Sequence, residues 1–212
     1  FNKIYLMKIS ILLPYKENYS PKYAGAVSLF VSETLNVSKF KKNINVFGNT
    51  HFKKKLTSNY TNIPIIKNSL FKSQSRYYVN KFIELQKKIK ADIIELHNRP
   101  SYLKHISKLK SKIVLYFHND PLKMEGSKKI NERLHLMSIC EKIIFNSTWS
   151  KKRFVENMDS FYSSSPKLEI INQSTNQKII DFNKKENIIT FVGKLNSAKG
   201  YDLFGKAVLK IL

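Results

Sequence analysis

Short apolar segments, each followed by a polar turn and an amphipathic stretch, recur along most of the chain. This alternation constrains the fold more than any other feature, and it is clearest from Ala91 onward. "ADIIEL" (91–96) reads as a strand and "SYLKHISKL" (101–109) as a helix. "KIVLYF" (112–117) is a strand, followed by a helix over 128–141. "KIIF" (142–145) is a strand, and "STWSKKRFVENM" (147–158) is a helix with Ser147 as its N-cap. "KLEII" (167–171) closes the series as a strand. Upstream, Lys8–Pro14 reads as a buried strand. Residues 24–39 carry Val27, Phe30, Val31 and Leu35 at helical spacing. Ile44–Phe47 is a second strand closed by Gly48, Pro64–Ile66 is a third, and residues 74–90 form a long helix. Strands alternating with helices require right-handed crossovers. The expected fold is therefore α/β: a Rossmann-like parallel sheet with helices on both faces.

One more strand, loop and helix follow: "FVGKLNSAKGYDLFGKAV" (191–208), with its strand over 188–192. The polar stretch "NKKEN" (183–187) separates it from the rest. Residues 7–183 are thus expected to form one domain, and 184–212 the truncated start of a second α/β domain. Residues 1–6 precede "MKISILLP", which looks like a natural start, so they read as an upstream extension.

Charge and cysteine content bound the partners and the compartment. Lys and Arg number 38 against 15 Asp and Glu, a net charge of +23, and only Arg76, Arg99, Arg133 and Arg153 are arginines. Such a chain attracts anionic partners. The lysines are nevertheless scattered in pairs along the whole length, as a lysine-rich codon bias would leave them. Phe52-Lys53-Lys54-Lys55 and Lys151-Lys152-Arg153 are local basic runs, and a run of charge is usually a solvated face. No nucleic-acid partner is expected. Cys140 is the only cysteine, which excludes an internal disulfide and fits a reducing cytoplasm. No apolar run has the length of a membrane span, and "FNKIYLMKISILLPY" is broken by lysines as a signal peptide is not. The expected location is cytoplasmic, with peripheral contact to an anionic membrane through the 52–55 run.

In an open parallel sheet, ligands bind beyond the carboxyl ends of the strands. The residues expected there are His97-Asn98-Arg99-Pro100 after the fourth strand, His118-Asn119-Asp120-Pro121 after the fifth, and Asn146-Ser147 after the sixth. Gly193-Lys194 and Lys199-Gly200 follow the last strand. Asn, Asp and Pro are common turn formers, so any one of these sets has an ordinary structural reading. Together they bring imidazole, guanidinium and ammonium groups to one edge. No G-x-G-x-x-G follows the first strand, where Gly25 stands alone after a long loop. There is no phosphate loop of the Walker type, no nucleophile elbow, and no Cys or His spacing suited to zinc.

The segments "MKISILLP" with Gly25, "DIIELHNRP", "KIVLYFHNDP", "KIIFNSTWSKKRF" and "ITFVGKLNSAKGYDLFGKAV" resemble, in order, the family-4 retaining glycosyltransferases of the two-domain GT-B fold. The resemblance implies an acceptor-side domain followed by the first strand, phosphate loop and helix of the donor-binding domain. It further implies that Gly25 and Ala26 offer helix N–H groups to the donor phosphate, and that His118 faces the transferred sugar. Gly193, Lys194 and Lys199 would hold the diphosphate, with Lys194 where the family usually has Arg. His97, Asn98, Arg99, Asn119, Asp120, Asn146 and Ser147 would lie on the acceptor side or near the sugar. The implied substrates are a nucleotide diphosphate sugar and a glycan or lipid-linked acceptor, with no metal or other cofactor. The alternatives are a non-catalytic basic α/β domain binding an anionic glycan, lipid or nucleic acid, and another GT-B enzyme such as an epimerase or phosphorylase.

Overall fold

The computed structural model describes residues 7–65, 73–174, 188–193, 195 and 197–211. The chain divides into two compact units, Phe1–Thr175 and Asn176–Leu212. The domain boundary expected at 183/184 lies outside the described residues.

The first unit is one sheet of seven parallel strands in the order β3-β2-β1-β4-β5-β6-β7. The strands are β1 Ile9–Leu12, β2 Ile44–Gly48, β3 Tyr60–Asn62, β4 Ile93–His97, β5 Lys112–Phe117, β6 Lys142–Phe145 and β7 Leu168–Ile170. The strand order reverses between β1 and β4, and such a switch point opens a crevice beyond the strand ends. The helices are α1 Ala26–Val37, α2 Gln74–Ile89, α3 Leu103–Ile106, α4 Ile130–Ile139, α5 Thr148–Val155 and α6 Ser160–Ser163.

Alternation along each strand divides the core in two, because successive side chains point to opposite faces. Ile11, Leu13 and Val46 pack with Val27, Val31 and Leu35 of α1 on one face. Leu12, Phe47, Ile94, Leu96, Ile113, Leu115, Phe117, Ile143 and Phe145 turn to the other. There they meet Tyr78, Val79 and Phe82 of α2, Leu103 and Ile106 of α3, Leu136 of α4 and Phe154 of α5. Each fully buried side chain of this kind stabilises the fold by about 1.5–3 kcal/mol before entropy is counted.

Several elements depart from the expected ones. The third strand is Tyr60–Asn62, paired with Val46–Gly48; of the expected Pro64–Ile66, Pro64 and Ile65 are not in a strand, and Ile66 lies outside the described residues. The chain reaches its edge position earlier, through polar residues that no hydrophobic pattern marks, and Pro64 has no N–H to give a ladder. The helix expected over 101–109 is a 3-10 turn at Pro100–Tyr102 and a single α-turn, α3, which closes as Leu109 N–H turns back to Ile106 O at 2.9 Å. Ser147 does cap α5, accepting from Ser150 N at 3.2 Å. In the second unit a 3-10 turn at Ser197–Lys199 leads into α7, Tyr201–Val208. Residues 188–193 form no strand: a ladder needs a neighbour, and none pairs with them among the described residues.

Candidate functional site

The unlike composition of β4's two faces builds the site. Ile94 and Leu96 enter the apolar core, so Glu95 and His97, two residues apart, share the opposite face under α1. The β4–β5 register sets His97 opposite Tyr116, and His118 then follows one pleat beyond. Tyr116 and His118 thus join Glu95 and His97 in one polar file. The rings of Tyr116 and His118 stack at 4.4 Å between centroids, and those of His97 and His118 at 5.0 Å. Phe30 of α1 closes over them, 5.2 Å edge-on from His118.

Hydrogen bonds run the length of this file. Glu95 Oε1 lies 2.7 Å from His97 Nε2, and His97 Nδ1 lies 2.7 Å from His118 Nε2. Gln173, in the segment leaving β7, sets its Nε2 2.6 Å from His118 Nδ1. His97 is fully buried. Burial, reinforced by His97, pulls the pKa of His118 down to about 3. Burial and the neighbouring Glu95 push the Tyr116 phenol up to about 12. Its hydroxyl donates to Ile171 O at 2.6 Å, fastening the exit from β7 across the sheet.

The backbone of His118 is held from both sides. Its N–H donates to Asn98 Oδ1 at 2.9 Å, and its carbonyl accepts from Asn146 Nδ2 at 3.0 Å. Asn98 also donates to Asn119 Oδ1 at 3.1 Å. Both Asn98 (φ 55°) and Arg99 (φ 53°) are left-handed, a conformation that asparagine tolerates and arginine adopts at some cost. This twist turns the exposed Arg99 toward a cleft of about 270 Å³ shared with Tyr15, Lys16, Ser75, Tyr102 and Glu125. Gly126 (φ 91°) lets the following loop approach closely, since a Cβ there would fall 2.6 Å from Ser101 N.

The sequence candidates therefore sort by role. His97 and His118 form the centre, and Asn98 and Asn146 position it. Asn119 lies beside them, exposed. Asp120 accepts from Leu122 N at 3.1 Å and pairs with Arg153, while the Ser147 hydroxyl is taken by its helix. Gly25 is the N-cap of α1, with exposed Ala26 next to it, but the helix end is occupied. Glu17 Oε1 accepts from Ser28 N at 3.1 Å, and a Cβ on Gly25 would lie only 2.1 Å from that oxygen. In the second unit, a Cβ on Gly193 would lie 3.8 Å from Lys199 Cβ, so one loop holds both. Lys194 lies outside the described residues. Lys55 of the basic run turns its ammonium to Thr50 O at 3.2 Å, so only Lys53 and Lys54 of that run are exposed.

Glu95, Gln173, Glu17 and Phe30 were not among the sequence candidates for the site. A charged residue within "IIELH" was a readable signal for Glu95, since its face has to differ from that of Ile94 and Leu96. Nothing marked Gln173. A cavity of about 920 Å³ lies at the other end of the sheet, lined by Lys87, Lys90, Lys108, Lys110 and Lys112 together with Met7. It contains none of the candidates. Among the described residues no group of three or more His, Cys, Asp or Glu is arranged to hold a metal ion. None of their helices is long and apolar enough to cross a membrane.

A parallel Rossmann-like sheet gathers polar groups at the carboxyl ends of β4, β5 and β6, the arrangement expected of a domain with the GT-B fold. Solved structures bear out the fold. HepE from Anabaena, in complex with UDP, matches over 80% of this chain and 45% of its own, with a TM-score of 0.53 and 13% identity. Sucrose-phosphate synthase from Thermosynechococcus elongatus matches over 80% of this chain and 49% of its own, with a TM-score of 0.54 and 10% identity. The chain spans about half the length of these neighbours. No family model and no curated protein matches the chain.

Proposed function

We propose that the chain is the acceptor-side half and the first part of the donor half of a retaining family-4 glycosyltransferase. Its parent moves a hexose from a nucleotide diphosphate sugar to a glycan or lipid-linked acceptor, without a metal. The observation that supports this most is the His97–His118 pair, gripped by Asn98 and Asn146, at the ligand-binding edge of a sheet built like that of HepE, which was solved with UDP. In this reading His118 faces the sugar, and Arg99 with Lys16 lines the acceptor cleft. Lys194 and Lys199 stabilise charge growing on the diphosphate leaving group. Lys53 and Lys54 are the membrane-facing cations, each adding about 1 kcal/mol at an anionic surface.

The test is steady-state sugar transfer by the full-length parent across a panel of nucleotide diphosphate sugars, with the anomer of the product read by NMR. Transfer with retention is expected. Lys199→Ala should lower turnover about a hundredfold with an unchanged melt, as loss of one oxyanion contact does. Lys194→Arg should keep or raise it, and the 212-residue chain alone should transfer nothing. Inversion would overturn the family assignment, and epimerisation of the sugar nucleotide without transfer would favour the epimerase alternative. A second reading, an anion-binding module, is favoured only by the lysine-rimmed cavity below β4 and β5. Absence of turnover together with salt-sensitive anion binding would select it.

A further inference from the structure

We propose that Glu95 and His97 are positioning residues that hold His118 as a hydrogen-bond acceptor, with Gln173 occupying the place of a donor group of the substrate. The assignment of that place to substrate rests on the reading of this edge as the sugar site; the state of the ring does not.

The argument starts from the four groups in line. A carboxylate accepts and does not donate. With Glu95 ionised, His97 must carry its proton on Nε2, 2.7 Å from the carboxylate. If the ring is neutral, Nδ1 is then a bare lone pair. The atom 2.7 Å from that lone pair, His118 Nε2, must supply the proton. His118 Nδ1 is bare in turn, and the atom facing it at 2.6 Å is the amide nitrogen of Gln173, a donor. Every junction has one donor and one acceptor, and the direction is dictated from the carboxylate end.

Two other arrangements reverse His118. One needs a protonated Glu95. The other needs an imidazolium at His97, a charge at a fully buried position with only Glu95 to pair with it. Either would put the proton on His118 Nδ1, and Gln173 would then have to turn its carbonyl oxygen to that nitrogen in place of the amide N–H that faces it. The remaining groups around the pair favour neither. Phe30 from α1 is apolar, and Tyr116 on β5 is a neutral phenol that spends its proton on Ile171 O. Asn98 and Asn146 bind the backbone of His118 rather than its ring.

The consequence is chemical selectivity. A lone pair at Nδ1 receives a hydroxyl or an N–H; it repels a phosphate or carboxylate oxygen. His118 is therefore suited to a sugar or acceptor hydroxyl and unsuited to the diphosphate. Gln173 is exposed, whereas His97 is buried with both ring nitrogens engaged, so the ligand displaces the amide and leaves the rest of the line intact.

The test is long-range nitrogen–proton NMR of the chain labelled with nitrogen-15 histidine, with His97→Gln and His118→Gln used for assignment. At neutral pH both rings should carry their proton on Nε2, by a ratio of about tenfold or more. Glu95→Ala should bring both ratios toward even, and Gln173→Ala should leave them unchanged. Should Glu95→Ala fail to fold, Glu95→Gln, which keeps the shape, should weaken the same preference. A proton on Nδ1 of His118, a doubly protonated His97, or a tautomer governed by Gln173 would overturn the proposal. A chain with the stated tautomers whose parent transfers no sugar would keep the positioning role and overturn the functional reading.

Discussion

The half-buried neutral imidazole of His118 links the site to the stability of the fold. Its pKa is about 3 in the folded chain against 6.5 for an exposed histidine. Between those values the unfolded state binds more protons, so stability is full above pH 6.5 and falls as the pH drops toward 3. The loss by about pH 4 is on the order of 3 kcal/mol, and His118→Gln should flatten that part of the curve in urea melts taken across pH. Asn98 is the second sensitive residue, at once left-handed and the holder of His118 N and Asn119. Asn98→Ala loses both roles and should cost about 2–3 kcal/mol. Asn98→Gly keeps the backbone geometry and should cost less, and the difference between the two variants measures the strain at this turn.

At the scale of elements, α1 is the helix whose end matters most. Gly25 caps it without a side chain, so Glu17, reaching back from the β1 loop, takes over the capping of Ser28 N and adds negative charge at the positive helix end. Glu17→Ala should therefore destabilise the first unit by about 1 kcal/mol in denaturant titration; no change would mean the contact gains nothing over the water it replaces. How far such elements could be read from the sequence depended on what marks them. β5 was fully legible because six residues with apolar periodicity stand between polar turns, and α2 because its apolar stripe is long. β3 was not, since Tyr60, Thr61 and Asn62 carry no apolar alternation: Tyr60 stacks on Tyr19, while Thr61 and Asn62 accept hydrogen bonds from Asn45 and Thr50. Likewise His97 and His118 were legible as residues that end strands. The line through Glu95 needed the β4–β5 register, and Gln173 needed the path of the chain after β7, which no local pattern encodes.

For the whole molecule, charge is the dominant fact. A net charge of +23 sits on a chain in which such ion pairs as Lys81–Glu84 and Lys112–Glu141 are exposed and so individually weak. Self-repulsion then outweighs pairing, and added salt should raise the melting temperature by screening it. A fall with salt would mean that specific pairs dominate instead. The sheet that bears this charge contains a safeguard of another kind. β4 and β5 each present apolar residues to one side and Glu95, His97, Tyr116 or His118 to the other, and a strand that slips by one residue exchanges its two sides. Such a slip would drive a carboxylate and an imidazole into the space of Ile94 and Leu96. Mispaired chains are thus penalised heavily while the sheet is still assembling. The polar file proofreads strand alignment during folding, and a version smoothed to valine at 95 and 97 would gain apolar surface and lose the means of rejecting its own misfolded neighbours in register.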